Sequence, residues 1–444
     1  MKARSTLIGM PLMLALGCGL VSAIPGSATF GLGITSAAAQ SDDKPERKTK
    51  KVDSLRAPIY EKIAKAQEKL EKGEKQEAID DLNKLLTEKI NQYEAAIVHQ
   101  ILATSVYFQT EEYGKAIKEF ETILTFDRIP DGLVQAALNT LAQLYLIEEK
   151  YQKSIDYMKR WMATQDAPGY AAYYFLAQAY YGLEDFKQVI ENTNRTITLA
   201  REAGVEPKEN WYLLLRVAYF ELGQMEKVRE VLEILTLNFE KPEYWRQLAA
   251  IYSELKMEER QFATMEIAYR RGYLENESQL INMAQLYLYH GVPIKAAWVI
   301  EKGMKDGTIE KNGKNYELLG QAYLNAQEMR KAEEPLRKAA VALDDGDIWM
   351  RLGQVFAELE QWDKAIEPLQ KAVESDDLDK PGYAHLMIGM AHFNLGELSD
   401  AKKAFEKARK FDETKKTAGQ WINYTDAEQK RRAQLTEYYG SGGQ

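Results

Sequence analysis

The sequence has few of the residues that most often carry chemistry. Its 444 residues include one cysteine, four histidines and 12 prolines, and the formal net charge is −9. A single cysteine excludes an internal disulfide and a thiolate metal cluster. Because phosphate binding needs clustered Lys and Arg, the acidic balance also argues against nucleic acid as a partner. The composition therefore points away from catalysis.

The first 39 residues have the character of a secretory signal peptide. They contain no Asp or Glu, and Lys2 and Arg4 precede an apolar run from about residue 7 to residue 24. An Ala-x-Ala cleavage site ends at Ala39, and an alternative site ends at Ala23. We predict an exported, periplasmic protein whose mature chain has no transmembrane segment.

Cys18 leaves a second interpretation open. Bacterial lipoprotein signals place a lipid-modified cysteine after a Leu-small-small triplet. Here the third residue before the cysteine is Ala15 and the next is the bulky Leu16, so the match is incomplete. We predict that Cys18 belongs to a discarded signal, and lipidation of Cys18 with the resulting membrane anchor is the alternative.

The two ends of the mature chain are polar. Residues 40–56 carry a basic cluster and very few apolar side chains. Such a segment cannot offset its ordering entropy, so we predict a disordered linker there. Residues 440–444, which are rich in glycine, are predicted to be a flexible tail.

From residue 57 onward the chain repeats one unit. Segments 316–339, 349–372 and 385–408 each have Leu or Ile before a Gly, an aromatic residue or His three positions later, and Ala twelve positions after the Gly. This pattern is typical of the tetratricopeptide repeat, a helix–turn–helix of about 34 residues. Aligning the small residue of the second helix, here called the small position, yields ten units at spacings of 33 to 39 residues. The ten small positions are Ala78, Ala116, Ser154, Val189, Val228, Gln261, Ala296, Ala332, Ala365 and Ala401.

The alignment predicts the fold class. Small residues let antiparallel helices approach closely, and the large residues beside them fill the contact with the next pair. We predict an all-α, right-handed superhelix (a solenoid) of about ten units over residues 57–411, closed by a capping helix over 412–439. At Val189, Val228 and Gln261 bulky or polar residues replace Ala, and we expect the helices to splay there.

No sequence motif for catalysis or metal binding is present. A nucleotide-binding loop, a zinc-protease motif, a nucleophile elbow and a Cys-x-x-Cys pair are all missing from the sequence. The histidines fall in different repeats or register positions, and acidic pairs lie between units, where turn and N-cap residues belong. We predict that the protein is not an enzyme and has no catalytic, cofactor or metal site.

A row of amides indicates where a partner could bind. In this repeat the first helices line the concave face, and five units place Gln just after the Gly position. Amides and tyrosines can bond an extended peptide without demanding a charge, although the same residues also suit solvated helix surfaces. The candidate concave-face residues are Asn139, Gln143, Tyr174, Gln178, Tyr181, Arg246, Gln285, Tyr289, Gln321, Asn325, Gln354 and Asn394.

Longer strings are more specific than the repeat consensus. Residues 207–235, 241–255, 271–304 and 343–354 resemble a family of secreted proteobacterial tetratricopeptide proteins proposed as components of TonB systems. The resemblance spans about residues 57–424. It implies a periplasmic scaffold for protein or peptide partners, such as TonB-complex or outer-membrane transporter components, in the uptake of iron chelates. The alternative is an outer-membrane-anchored lipoprotein for envelope polysaccharide or peptidoglycan assembly.

Overall fold

The computed structural model describes residues 51–440, with side chains up to residue 436. Within this range the chain forms α-helices and no strand, and consecutive helices pack against each other. The predicted all-α solenoid of ten helix pairs and a final helix is confirmed. The helices are α1 (Ala57–Glu71), α2 (Lys75–Leu86), α3 (Gln92–Ile101, continued by a π-helical segment Leu102–Phe108), α4 (Tyr113–Ile123), α5 (Asp131–Ile147), α6 (Tyr151–Met162), α7 (Tyr170–Gly182), α8 (Phe186–Glu202), α9 (Glu209–Glu221), α10 (Met225–Phe239), α11 (Pro242–Glu254), α12 (Glu258–Arg270), α13 (Glu277–Tyr289), α14 (Pro293–Asp306), α15 (Gly313–Asn325), α16 (Met329–Leu343), α17 (Gly346–Glu358), α18 (Trp362–Glu374), α19 (Pro381–Asn394), α20 (Leu398–Ala408) and α21 (Lys415–Gly440).

The small positions of the second helices form the centre of the core. Nine of the ten are buried, including Val189 and Val228, and only Gln261 is partly exposed. The Ser154 hydroxyl donates to the Ala142 carbonyl at 2.7 Å, so even this polar member is bonded to the first helix of its own unit. The alignment made on the sequence therefore identifies equivalent sites in the folded chain.

Glycine on the first helices allows the closest helix contacts. A Cβ atom added at Gly353 would lie 2.5 Å from Cγ of Leu369, on the second helix of the same unit. Gly320 meets Leu336 and Gly389 meets Phe405 in the same way. No real Cβ approaches a side chain so closely, so these glycines set the spacing within the last three pairs.

Every pair turns through one residue in the left-handed backbone conformation. That residue always lies five positions before the small position of its unit, and it is Gly in four units and a larger residue in six. The ten residues are Gly73, Glu111, Glu149, Glu184, Gly223, Lys256, Gly291, Gln327, Glu360 and Gly396. A common turn geometry therefore joins the two helices in all ten units.

Replacing Glu184 by Gly should stabilise the fourth unit by about 1 kcal/mol, because a Cβ atom in the left-handed region is strained. Glu184 has φ 57° and is exposed, so no packing is lost. Urea unfolding measures the gain. The reverse substitution, Gly223→Ala at φ 68°, is the control and should lower the free energy of unfolding by a similar amount. Equal stability of Glu184→Gly and the parent would contradict the turn geometry.

Neighbouring units are joined by a repeated contact that we call the Tyr–Glu clasp. A tyrosine nine positions before the small position is paired with a glutamate five positions after the small position of the preceding unit, and the hydroxyls of Tyr145 and Tyr252 donate to their glutamates at 2.6 Å. A Lys or Arg one position before the small position lies over the same ring, at 5.0 to 5.9 Å from its centroid. The clasps are Glu121–Tyr145–Lys153, Glu233–Tyr252–Arg260, Glu266–Tyr287–Lys295 and Glu301–Tyr323–Lys331.

The clasps predict a loss of stability in alkaline solution. Burial, with the negative charge of Glu266, raises the pKa of Tyr287 to about 12. A raised pKa contributes stability that is complete below the unfolded value near 10 and is lost as pH rises towards 12. Tyr287→Phe should cost about 1 kcal/mol at pH 8, from the lost contact of the hydroxyl with Glu266, and this difference should shrink above pH 10 and reverse its sign before pH 12. Tyr60→Phe, at an exposed ring, is the control; a pH-independent difference for Tyr287→Phe would contradict the assignment.

The N-terminal end of the solenoid is closed by a buried carboxylate. The Glu94 side chain is fully buried and accepts hydrogen bonds from Nε and Nη2 of Arg56 at 2.8 and 2.7 Å. Glu94 also accepts from the backbone of Asn91, whose side chain caps α3 in return. The Asp53 backbone N–H donates to the Arg128 carbonyl at 3.0 Å. Residues 53–56, assigned to the disordered linker by the sequence, are therefore bonded to the second and third units.

The C-terminal end is covered by α21, which starts at Lys415 and includes Gly440. Its residues Ala418 and Ile422 are buried, and the Trp421 ring stacks on Phe405 at 5.4 Å. None of the helices within residues 51–440 is long and apolar enough to span a membrane. The predicted signal peptide, both cleavage sites, Cys18, the start of the linker and the tail beyond residue 440 lie outside the described residues.

Candidate functional site

All twelve predicted concave-face residues lie on the first helices of their pairs. Each is partly or fully exposed, and together they occupy α5, α7, α11, α13, α15, α17 and α19. Some amides bond within their own helix. Gln143 donates to Asn139 at 2.6 Å, and Gln321 donates to Asn325 at 2.7 Å. The amides of α5 and α15 therefore form local pairs, one helical turn apart.

Other members of the set bond the neighbouring unit. The Arg246 guanidinium donates to the Tyr273 carbonyl at 3.0 Å, and the Tyr289 hydroxyl donates to the Glu258 carboxylate at 3.0 Å. Tyr289 nevertheless remains 70% exposed. These side chains fasten successive units together, and Tyr289 keeps most of its ring open to solvent.

A cavity in the described part of the chain is lined by residues of α15 to α19, and we call it the α15–α19 groove. Its volume is about 740 Å³, in the range that holds small molecules or a few peptide side chains. Of the predicted residues, only Gln354 lines it. The lining residues are Leu324, Gln327, Met329, Arg351, Gln354, Val355, Ala357, Glu358, Glu360, Trp362, Met387 and Met390.

The groove is positioned by three consecutive units, the eighth to the tenth. Gly320, Gly353 and Gly389 let α15, α17 and α19 pack closely against the second helices of their own units. This packing fixes the positions of the three first helices that line the groove. Leu324, Val355 and Met390 come from these three first helices, whereas Met329 and Trp362 start the second helices α16 and α18. The apolar part of the groove thus combines helix faces with the ends of two turns.

Charged side chains on α17 and its turn complete the lining. The Arg351 guanidinium pairs with Glu317 of α15 at 3.1 Å, which leaves its charge compensated. Glu358 and Glu360 are exposed, and neither forms an ion pair within the described residues. The groove therefore combines apolar lining residues, which we call its floor, with a surplus of negative charge. The floor consists of Leu324, Met329, Val355, Ala357, Trp362, Met387 and Met390.

The apolar lining residues were missed in the sequence. The position that holds Gln in five other units holds Met390 in the tenth, and this substitution was the available signal. Met329 and Trp362 follow the turn, where the repeat pattern specifies no contact. Their place in the groove depends on how the turn directs the start of each second helix.

A second polar cluster lies on α7, α9 and α11. Asn210 donates to the Tyr174 hydroxyl at 2.9 Å, and the Tyr174 ring lies 5.9 Å from Trp211. Arg216 donates to Gln247 on the next first helix, and burial lowers the pKa of Arg216. Only Tyr174 of these five was predicted. The cluster links the fourth, fifth and sixth units.

No group of three or more His, Cys, Asp or Glu side chains in the described residues is arranged to hold a metal ion. His99 and His392 each contact one carboxylate, of Glu119 at 2.5 Å and of Glu397 at 2.6 Å. His290 stacks on Phe262 at 4.3 Å. The described histidines therefore make separate local contacts.

Comparison with known proteins agrees with this architecture. Two sequence models of the family described as tetratricopeptide repeat match residues 317–380 and 383–414, which contain most of the α15–α19 groove. No curated protein matches the chain.

Several solved structures are similar to parts of the chain. YrrB, described as a TPR protein with an unusual peptide-binding site, is 18% identical over 42% of this chain and 94% of its own, with a TM-score of 0.35. A MamA fragment from Desulfovibrio magneticus RS-1 is 20% identical over 39% and 96%, with a TM-score of 0.32. A tetratricopeptide repeat protein from Parabacteroides merdae is 16% identical over 64% and 93%, with a TM-score of 0.32.

Stacked helix pairs of the tetratricopeptide type expose an extended concave surface, which such repeats use to bind other proteins. The family matches in the last three units and the ten equivalent helix pairs lead to the same conclusion. Residues 317–380 and 383–414 match tetratricopeptide repeats, and residues 57–440 have the fold of a tetratricopeptide-like helical solenoid.

Proposed function

We propose that this protein is a periplasmic scaffold that holds a peptide segment of a partner protein in the α15–α19 groove, as an accessory to a TonB-type uptake complex. The observation that carries the binding role is the groove itself, a cavity of about 740 Å³ lined by apolar side chains together with Arg351, Gln354, Glu358 and Glu360. An apolar floor with a few polar groups at its edge is the usual make-up of a binding site.

The polar groups of the groove suit a peptide backbone. The Gln354 amide offers two donors and one acceptor oxygen, so it can bond both the carbonyl and the N–H of an extended chain. The Arg351 guanidinium keeps donors beyond the one that contacts Glu317. Methionine side chains adapt to different apolar partners, which fits a scaffold.

The compartment and the partner complex are proposed from the sequence. The first 39 residues support export, since a basic start, an apolar centre and an Ala-x-Ala site occur in that order. The resemblance of residues 57–424 to proteins proposed as components of TonB systems supports the uptake role. Together they favour a periplasmic partner over a cytoplasmic one.

Growth on chelated iron tests the proposal. We expect a strain that lacks the gene to grow more slowly when iron is supplied only as a chelate, and the wild-type gene to restore growth. Met390→Glu, which places a charge on the groove floor, should fail to restore growth. Leu237→Glu, at a residue that is 76% exposed on α10, is the matched control and should restore it.

Two measurements make this test decisive. Thermal unfolding and the amount of periplasmic protein must match between Met390→Glu and Leu237→Glu. Chelated-iron uptake at the parental rate in the deletion strain would contradict the transport role. A mature N-terminus at Gln40 is expected, whereas palmitate labelling that disappears in Cys18→Ser would favour the anchored lipoprotein instead.

A further inference from the structure

The α15–α19 groove combines a methionine-rich surface with two carboxylates, of Glu358 and Glu360, that form no ion pair with any other described residue. We propose that it selects a peptide segment in which a bulky apolar side chain stands next to Lys or Arg. This inference rests on the proposed function, since it names the chemistry of the segment that the same groove would hold.

The apolar half of the recognition comes from the floor. Met329, Met387 and Met390 belong to it, together with the ring of Trp362. These four side chains are partly exposed in the free protein, so an apolar guest would remove their remaining surface from water. Because methionine is flexible, the floor suits Leu, Ile, Met or Phe without selecting one of them.

The charged half comes from α17 and the turn that follows. Glu358 ends α17 and Glu360 lies two residues later, so their carboxylates line the same groove. Some exposed glutamates on the second helices of the same units are compensated, for example Glu334 by Lys338 at 3.1 Å and Glu367 by Lys371 at 3.1 Å. Glu358 and Glu360 form no ion pair within the described residues.

Among the described residues that line the groove, Arg351 is the one cation, and it is already paired. Arg351 contacts Glu317 at 3.1 Å, and both side chains are about one-third exposed. A guest carboxylate would therefore have to displace Glu317 and would meet two further negative charges. A guest Lys or Arg meets Glu358 and Glu360 directly, which favours a basic residue over an acidic one.

A peptide display experiment tests the inference on the full chain. A library of random peptides is selected on the purified protein, and one enriched peptide is labelled for fluorescence polarisation. We expect enriched peptides to place Lys or Arg next to a bulky apolar residue. We expect Glu358→Gln/Glu360→Gln to weaken binding roughly 5- to 30-fold and to reduce its salt dependence, since two partly exposed ion pairs are lost.

Control variants separate charge from fold. Both test substitutions replace an exposed side chain by an isosteric one and should leave thermal unfolding unchanged. Glu226→Gln/Glu374→Gln, at exposed glutamates outside the groove, should bind as the parent does. Changing the peptide Lys to Gln should weaken binding to the parent and have little effect on Glu358→Gln/Glu360→Gln, which shows that the two groups meet.

The outcomes distinguish this inference from the proposed function. If peptides bind and Met390→Glu abolishes binding, but Glu358→Gln/Glu360→Gln stays within twofold of the parent, the charge preference is wrong and the groove remains the binding site. If a folded Met390→Glu variant binds as the parent does, or no peptide is enriched, the peptide-binding role of the groove fails with it.

Discussion

Gly353→Val is expected to lower the free energy of unfolding by about 3 kcal/mol, at the upper end of the usual cost of overpacking a core. The first added carbon would lie 2.5 Å from Cγ of Leu369, a side chain that is itself completely buried. Neither the helix backbone nor Leu369 can move without disturbing the next contact, because protein interiors are close-packed. The helices α17 and α18 must therefore separate.

Since α17 carries Arg351, Gln354 and Glu358, the same substitution should also distort the groove and abolish peptide binding. Urea unfolding measures the stability, and hydrogen exchange should show the loss centred on α17 and α18, since each repeat contacts mainly its neighbours. The double variant Gly353→Val/Leu369→Ala makes room for the new side chain and should recover part of the loss.

A matched control separates packing from helix propensity. Gly419 lies inside α21 and has no atom within 4 Å of an added Cβ. Gly419→Ala should stabilise by about 0.5–1 kcal/mol, because Ala is the better helix former. A Gly353→Val variant whose stability matches that of the parent would show that the pairs are not in van der Waals contact at this position.

The repeat register could be predicted from the sequence because it depends on residue size. Ala116, Ala332 and Ala365 are small enough to leave room for a neighbouring helix. Because each unit needs one such residue, they recur at a spacing of about 36 residues that can be recognised in the sequence. Val189 and Val228 broke the pattern, yet both are buried in the equivalent place. Substitution of Ala by Val changes local packing and leaves the topology intact.

The turns were less predictable, because their conformation is imposed by the helices on either side. Glycine is the residue expected in the left-handed region, yet Glu111, Glu149 and Lys256 also occupy it. Packing of the two helices outweighs a local strain of about 1 kcal/mol. A rule based on Gly alone would therefore have missed six of the ten turns.

The repeat pattern has an aromatic residue three positions after the Gly position, and packing accounts for only part of the role of the tyrosines found there. Tyr145 and Tyr252 are buried as expected, but each hydroxyl also bonds a glutamate of the preceding unit at 2.6 Å. The glutamates stand at a constant place in the repeat, so the contact could have been found by comparing positions between adjacent units. The groove could not have been found by such a comparison, since Trp362 and Met329 contribute to it from the ends of the turns.

Loss of the Glu94 carboxylate is expected to cost the N-terminal end of the solenoid about 2 kcal/mol, since Glu94→Ala removes a helix cap and several hydrogen bonds at once. The side chain is fully buried and bonded to Arg56 and Asn91. Glu94→Gln should cost less, because an amide at the same place still completes the capping box. Hydrogen exchange of α1 and α3 should show the loss, with little change beyond the third unit.

Acid solution provides the second readout of this carboxylate. The hydrogen bonds from Arg56 hold the pKa of Glu94 at about 2, well below its ordinary value near 4.5. A lowered pKa contributes stability that is complete above 4.5 and is lost as pH falls through 2. The stability difference between the parent and Glu94→Gln should therefore be largest at pH 7 and shrink between pH 4.5 and pH 2. A difference that stays constant over that interval would mean that Arg56 does not stabilise a charged Glu94, and that residues 53–56 are held by their backbone contacts alone.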